Sequence, residues 1–146
     1  MPSASLEDPH HLSRFVTAQD AGGTYDRALE ELRRGQKTSH WMWFVFPQIA
    51  GLGTSPAARH FAIASLDEAR AYLGHPVLGH RLLESATVLE QLEVPSAEAI
   101  FGPLDALKLR SSMTLFVLAA PEVPTFARVL DRYFGGERDP ATLARC

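Results

Sequence analysis

The chain is short of cysteine: the single one among its 146 residues is Cys146, at the final position, which excludes an intramolecular disulfide and a cysteine metal cluster. That usage suits a reducing cytoplasm, the expected location. Long apolar runs are missing as well. The two longest, residues 41–47 and 115–121, fall far below the roughly 20 residues that a bilayer span requires. Residues 1–9 hold neither a basic n-region nor an apolar h-region, so neither secretion nor membrane insertion is expected. Charge of one sign is not in excess: 14 basic against 17 acidic side chains, a net charge of −3 and a pI near 6.0 argue against nucleic acid as a partner. The chain also lacks a phosphate loop, a dinucleotide fingerprint, a His-Glu-x-x-His pair, an EF-hand loop and a Gly-x-Ser-x-Gly elbow. None of its six histidines forms an i, i+4 pair with a carboxylate alongside, so no metal site and no cofactor is expected.

What remains is a composition that builds a core. With 46% hydrophobic and 21% charged residues, a chain of this length is expected to fold as one domain. Residues 1–10 read as a flexible tail and residues 11–146 as a single helical domain.

Helical punctuation recurs along the chain. Residues 11–21 carry Leu12, Phe15 and Val16 at helical spacing before Gly22-Gly23. Thr24 reads as the N-cap of a helix over 25–34, closed by Arg33-Arg34-Gly35. Ser39 reads as the cap of residues 40–46, a run too short for periodicity to separate a short helix from a buried strand; helix is favoured because every neighbouring element is helical, and Pro47 ends it. Ser55-Pro56 opens a helix through Ile63, and the capping box of residues 65–68 starts another to Leu73. From Val77 or His80 to Leu92, the residues Leu82, Leu83, Ala86 and Leu89 form an amphipathic stripe. Ser96 caps a turn that Gly102-Pro103 breaks, and the dense apolar stretch 104–120 reads as a central buried helix. Val123-Pro124 opens a helix to Tyr133, and Asp139-Pro140 a terminal one. No hairpin or fixed repeat interrupts the pattern. The expected fold is all-α, a compact single-domain bundle of about seven to nine short and medium helices.

Chemistry concentrates in two segments. Residues 37–48 combine Lys37, Ser39, His40 and Gln48 with Trp41, Trp43, Phe44 and Phe46. The structural reading makes the aromatics core and Ser39 a cap. The functional reading projects the polar set into a cleft, with a tryptophan stacked on a ring and the helix N-terminus facing an anion. Residues 101–116 place Asp105, Lys108, Ser112 and Ser111 along one face of an otherwise apolar helix. An Asp105–Lys108 pair on a solvated face is the structural reading. Hydroxyls within so apolar a helix need partners, though, and Arg110 suits bidentate anion recognition. The third segment, from His75-Pro76 to Arg81, reads first as a cap and second as a ligand contact. The Gly51-Leu52-Gly53 stretch reads as a plain connector between helices.

These segments resemble a known family. Residues 15–19, 35–48, 51–55, 75–79 and 100–102, together with Asp105, Lys108 and residues 111–116, are similar to the family catalogued as domain of unknown function 1810, over about Leu12 to Leu143. The N-terminal tail and Cys146 stand apart from that pattern. The resemblance implies a compact, mostly helical single domain and no established activity. Some members carry the label calpastatin, which does not transfer: that inhibitor resembles a disordered repeat chain that folds on binding, whereas this sequence builds a core without repeats.

The reading that follows is a cytoplasmic helical domain in which residues 37–48 and 105–114 enclose a polar cleft for a small anionic or nucleotide-like ligand. In it Lys37, Ser39, Trp41, Gln48, Lys108, Arg110, Ser111 and Ser112 bind the ligand. Were a reaction catalysed, His40 would be the acid or base and Asp105 its carboxylate partner. The rival is a non-catalytic interaction domain, its protein partner unknown, whose tryptophan segment is core.

Overall fold

A computed structural model describes residues 8–146. Helix α1 (Ser13–Asp20) passes through one 3-10 turn (Ala21–Gly23) into α2 (Thr24–Arg34). There follow α3 (Met42–Val45), α4 (Pro56–His60), α5 (Leu66–Gly74), α6 (Leu78–Gln91), α7 (Ala97–Ala119), α8 (Pro124–Phe134) and α9 (Pro140–Arg145). Among the described residues the one strand-like feature is an isolated parallel bridge between Ile49 and Ile63. None of these helices is long and apolar enough to cross a membrane. The fold is all-α, as the punctuation implies.

The caps explain why the helices begin where they do. Oγ of Ser55, Ser65 and Ser96 and the carboxylate of Asp139 accept hydrogen bonds from the amides of Ala58, Glu68, Ala99 and Thr142 at 3.0–3.2 Å. Each satisfies an amide that the first helical turn leaves free. The same carboxylate chemistry starts α1 from a distance, because Asp8 accepts from the amides of Leu12 and Ser13 at 2.7 and 2.9 Å. The remainder of the expected tail, residues 1–7, lies outside the described residues. His75 is a cap in the literal sense, its Nδ1 accepting from the amides of Val77 and Leu78 at the start of α6.

Local signals yield to tertiary hydrogen bonds in three places. Thr24 does not cap α2: the cap position falls to Gly23, which is left-handed at φ 69°, and the Thr24 hydroxyl donates back to the carbonyl of Ala21 at 2.6 Å. The helix expected over 40–46 contracts to four residues because Ser39 caps nothing; its hydroxyl donates to Glu31. The helix expected to reach Ile63 stops at His60, since the Ile63 amide and carbonyl are engaged by Gln48 and Ala50, both at 2.8 Å. Elsewhere the expected break holds. α7 changes direction at Gly102, whose φ of 79° and ψ of 166° suit glycine, and Pro103 begins the long second segment.

That second segment of α7 is the centre of the molecule. It packs on α5, α8 and α9, while α6 joins α2, α5 and α8. A chain of aromatic rings crosses the core from Phe44 through Phe61, Phe15, Tyr72 and Phe116 to Phe126, with successive centroids 5.1–5.7 Å apart. Such contacts add about 0.5–1.5 kcal/mol each beyond area burial. Where α5 and α6 meet, Gly79 allows the backbones to approach: a Cβ there would stand 2.8 Å from the carbonyl carbon of Leu73.

The Glu31 carboxylate, inside the structure at 2% exposure, organises the loop after α2. Oε1 accepts from the amides of Thr38 and Ser39 and from the indole of Trp41, and Oε2 accepts from the Ser39 hydroxyl. Burial alone would push this carboxyl up. The bonds from the Ser39 hydroxyl, the Thr38 amide, the Trp41 indole and the Ser39 amide outweigh it and hold the pKa at about 2, against an ordinary 4.5.

Two predictions follow from this packing. A group whose pKa falls on folding stabilises the native state above its unfolded value and loses that contribution as pH drops. The wild type is therefore expected to lose stability between about pH 4.5 and pH 2. Glu31→Gln should be less stable by about 3 kcal/mol at pH 7 and show a flatter acid limb in denaturant titrations across pH. Equal slopes would refute the assignment. Gly79→Ala, which would gain about 1 kcal/mol in an open helix, is expected to lose about 2 kcal/mol by thermal unfolding, because Leu73 must move.

Candidate functional site

The two segments singled out by sequence converge on one cavity of about 270 Å³. α3 supplies Trp43, and the loop after it supplies Gln48 and the stretch from Gly51 to Gly53. Ala58 and Phe61 come from α4 and its end, Leu107, Lys108 and Ser111 from α7, and Asp139 and Ala141 from the start of α9. The Ile49–Ile63 bridge pins the loop as one wall. Its glycines permit close packing, since a Cβ at Gly53 would lie 2.9 Å from the Ala58 side chain, and one at Gly51 would lie 2.7 Å from the guanidinium carbon of Arg145 on α9. The stretch read from sequence as a plain connector is thus part of the cavity wall.

Beside the cavity, charges alternate along a short chain that reaches the wall at Lys108. Lys37 and Lys108 flank Asp105 at 2.9 and 3.1 Å, and the Lys108 ammonium also lies 4.1 Å from the centroid of the Trp43 ring. Burial raises the Asp105 carboxyl, but the hydrogen bonds and charges of the two lysines outweigh it and hold it below its ordinary value. One carboxylate between two ammonium groups leaves this cluster with a positive balance beside the cavity. Also on the wall, Asp139 Oδ2 accepts from the Ser111 hydroxyl at 3.2 Å, the Thr142 amide at 3.0 Å and the Thr142 hydroxyl at 2.6 Å. The Asp139 amide in turn donates to Thr114 Oγ1 at 2.9 Å. Hydroxyls that looked out of place in an apolar helix thus tie α9 to α7.

The remaining residues named from sequence fall outside the cavity wall. Ser39 and Trp41 belong to the Glu31 cluster, and Trp41 is 1% exposed, so its ring offers no surface for stacking. Arg110 turns away, donating to the carbonyls of Glu137 and Arg138 at 3.1 and 2.8 Å. Ser112 is buried with its hydroxyl unpaired among the described residues. His40 is exposed, and the ion pairs of Asp105 run to the two lysines, so the structure does not join these two residues. Arg81 bonds Asp20 and Gln19 between α1 and α6. Sequence reasoning missed Asp139, read as a cap only, and left Trp43 unassigned although it lies within the tryptophan segment. The signal for Asp139 was present: a capping carboxylate has a second oxygen free for other work.

A larger groove of about 640 Å³ runs between α5, α6 and the α7–α8 turn. It is lined mainly by Leu73, Leu83, Val123 and Phe126, and its charged groups are Arg70 and Glu122. It lacks the convergent polar groups of the smaller cavity, which the chemistry therefore favours as the site.

Comparison with known proteins adds a fold partner and a family. The crystal structure of the conserved hypothetical protein Rv1873 from Mycobacterium tuberculosis is similar at a TM-score of 0.90 and 51% identity, covering 94% of this chain and 96% of that one. No curated protein matches the chain. The family model described as "Protein of unknown function (DUF1810)" matches residues 9–146, and the chain belongs to that family.

Proposed function

We propose that the protein binds a small anionic or nucleotide-like ligand in the cavity between α3, the Gly51–Gly53 loop, α7 and α9. The observation that carries this reading is the meeting of Lys108, Ser111, Gln48 and Asp139 from distant parts of the chain around about 270 Å³ of space. Converging polar groups in a concave, partly aromatic pocket are the usual mark of a ligand site. Lys108 is the anion-binding group, already three-quarters buried and needing only to exchange one carboxylate for another anion. Lys37 and Asp105 are positioning residues: the Lys37–Asp105 pair, close to fully buried on the lysine side, holds the carboxylate against which Lys108 is set. Ser111 supplies a hydroxyl oxygen that can accept, its one proton being directed at the Leu107 carbonyl and Asp139. His40, lying on the surface outside the cavity wall, has no part in the proposal.

A second reading rests on a separate observation. Leu104 and Leu107, one turn apart on α7, are 73% and 57% exposed, and Leu107 also lines the cavity. A non-catalytic interaction domain would use this rim, with the buried Trp41 and Phe46 as core.

The test is a thermal-shift and native mass-spectrometry screen of nucleotides, sugar phosphates and carboxylates on the wild type, Lys108→Met and Ser111→Leu. A ligand at one hundred times its Kd is expected to stabilise the wild type by about 2.7 kcal/mol. Both variants should fold and lose most of that shift, Lys108→Met by removing the cation and Ser111→Leu by filling the cavity. Undiminished binding in both would move the site elsewhere. Loss of a captured protein partner in a Leu104→Ser, Leu107→Ser double variant, with no small-molecule shift in the wild type, would favour the second reading.

A further inference from the structure

Resting on the cavity as a binding site, we propose that its ligand is a phosphorylated polyol of monosaccharide size, a sugar phosphate, and not a nucleotide. Three observations carry this choice.

The first is that the aromatic rings on the wall are already engaged. Stacking a base requires an open ring face, and the Lys108 ammonium occupies one face of Trp43 at 4.1 Å. Phe61, the other ring on the wall, packs against Phe15, Phe44 and His60 at centroid distances of 5.7, 5.2 and 4.6 Å.

The second is the kind of polar atom left over. All three hydrogen bonds to the Asp139 carboxylate end on Oδ2, which fixes the group in orientation, while Oδ1 accepts none from the described residues. An ionised carboxylate is an acceptor only, so it selects hydroxyl donors and repels a phosphate. The Gln48 side chain makes no hydrogen bond with the described residues, and its amide offers both donors and an acceptor. A carboxylate beside an amide is matched by neighbouring hydroxyls, each of which donates one bond and accepts another. The phosphate is matched by Lys108, the cation on the wall, whose Lys37–Asp105–Lys108 cluster has a positive balance.

The third is size. About 270 Å³ lies just under the range of about 300–1,000 Å³ that serves drug-sized ligands, which suits a ligand of one ring and one charged group.

Calorimetric titration of the full chain with ribose 5-phosphate and glucose 6-phosphate, against AMP, glucose and inorganic phosphate, tests the proposal. A sugar phosphate is expected to bind at least tenfold tighter than AMP, glucose or phosphate. Gln48→Leu, which leaves every hydrogen bond of the fold's backbone in place, should weaken the sugar phosphate tenfold and leave inorganic phosphate unchanged. Asp139→Asn should do the same where circular dichroism shows it folded, and Lys108→Met should weaken both anions. Tighter binding of AMP would overturn the sugar assignment while leaving the cavity a binding site. So would sugar-phosphate affinity indifferent to Gln48→Leu. Saturable binding by none of the five compounds would overturn this inference, while the broader reading would then stand or fall on the carboxylates and larger nucleotides of the screen above.

Discussion

The Glu31 carboxylate is the interaction on which the rest of the site depends. It sits on α2, out of reach of bulk water, and gathers four donors from three residues, Thr38, Ser39 and Trp41: two amides, a hydroxyl and an indole. Charge-assisted bonds of this kind are stronger than neutral ones, and together they hold the carboxyl ionised against its own burial. They fix residues 38–41, and with them the direction in which α3 leaves. The loop also closes on α7, because the Lys37 amide donates to the carbonyl of Ile100 at 2.8 Å. Lys37 is thus delivered to Asp105, and Trp43 to Lys108, by a carboxylate that touches neither pair.

A second constraint comes from the break in α7. An unbroken helix from Ala97 to Ala119 would run straight past the loop; the left-handed turn at Gly102 lets the first segment meet residue 37 while the second enters the core. The face of that second segment is divided along its length. Leu109, Met113 and Phe116 are buried in the core, Lys108 and Ser111 line the cavity, and Thr114 meets the amide that precedes α9. The serine and threonine hydroxyls that lower helix propensity are compensated by bonds to the carbonyls of Leu107 and Arg110 within the helix and by contacts with Asp139 and its amide. Only Ser112 lacks such a partner among the described residues, and its small side chain sits where α7 is entirely enclosed.

Much of the fold was legible because caps are local. Ser55, Ser65, Ser96, Asp139, the three first-turn prolines and Gly35 act over three or four residues, and the information needed to place them is contained in that span. The misplacements share one cause. Thr24 and Ser39 carry the right chemistry for caps, and residues 61–63 the right composition for helix, but each has a stronger partner elsewhere: Ala21, Glu31 and the Gln48–Ala50 backbone. The convergence of residues 37–48 and 105–114 was legible in outline, since both segments mix polar groups with dense apolar ones. Which polar groups face the cavity was not. Trp41 and Trp43 are two residues apart and chemically alike, yet one is sealed beneath Glu31 and the other lines the cavity.

The sequence by itself determined the all-helical architecture, most helix starts and stops, the break before Pro103 and, through its matching segments, the membership in a family of unknown function. The architecture and its boundaries rest on periodicity, caps and composition, which act within a few turns of chain. Only the tertiary structure decided that Lys37 and Asp105 support Lys108, that Arg110 and Ser39 serve the scaffold, and that Asp139 faces the cavity. A side chain's role follows from which of several competing hydrogen-bond partners reaches it first, and partners separated by 28 residues, as Ser111 and Asp139 are, become neighbours only when the core has brought α7 and α9 together.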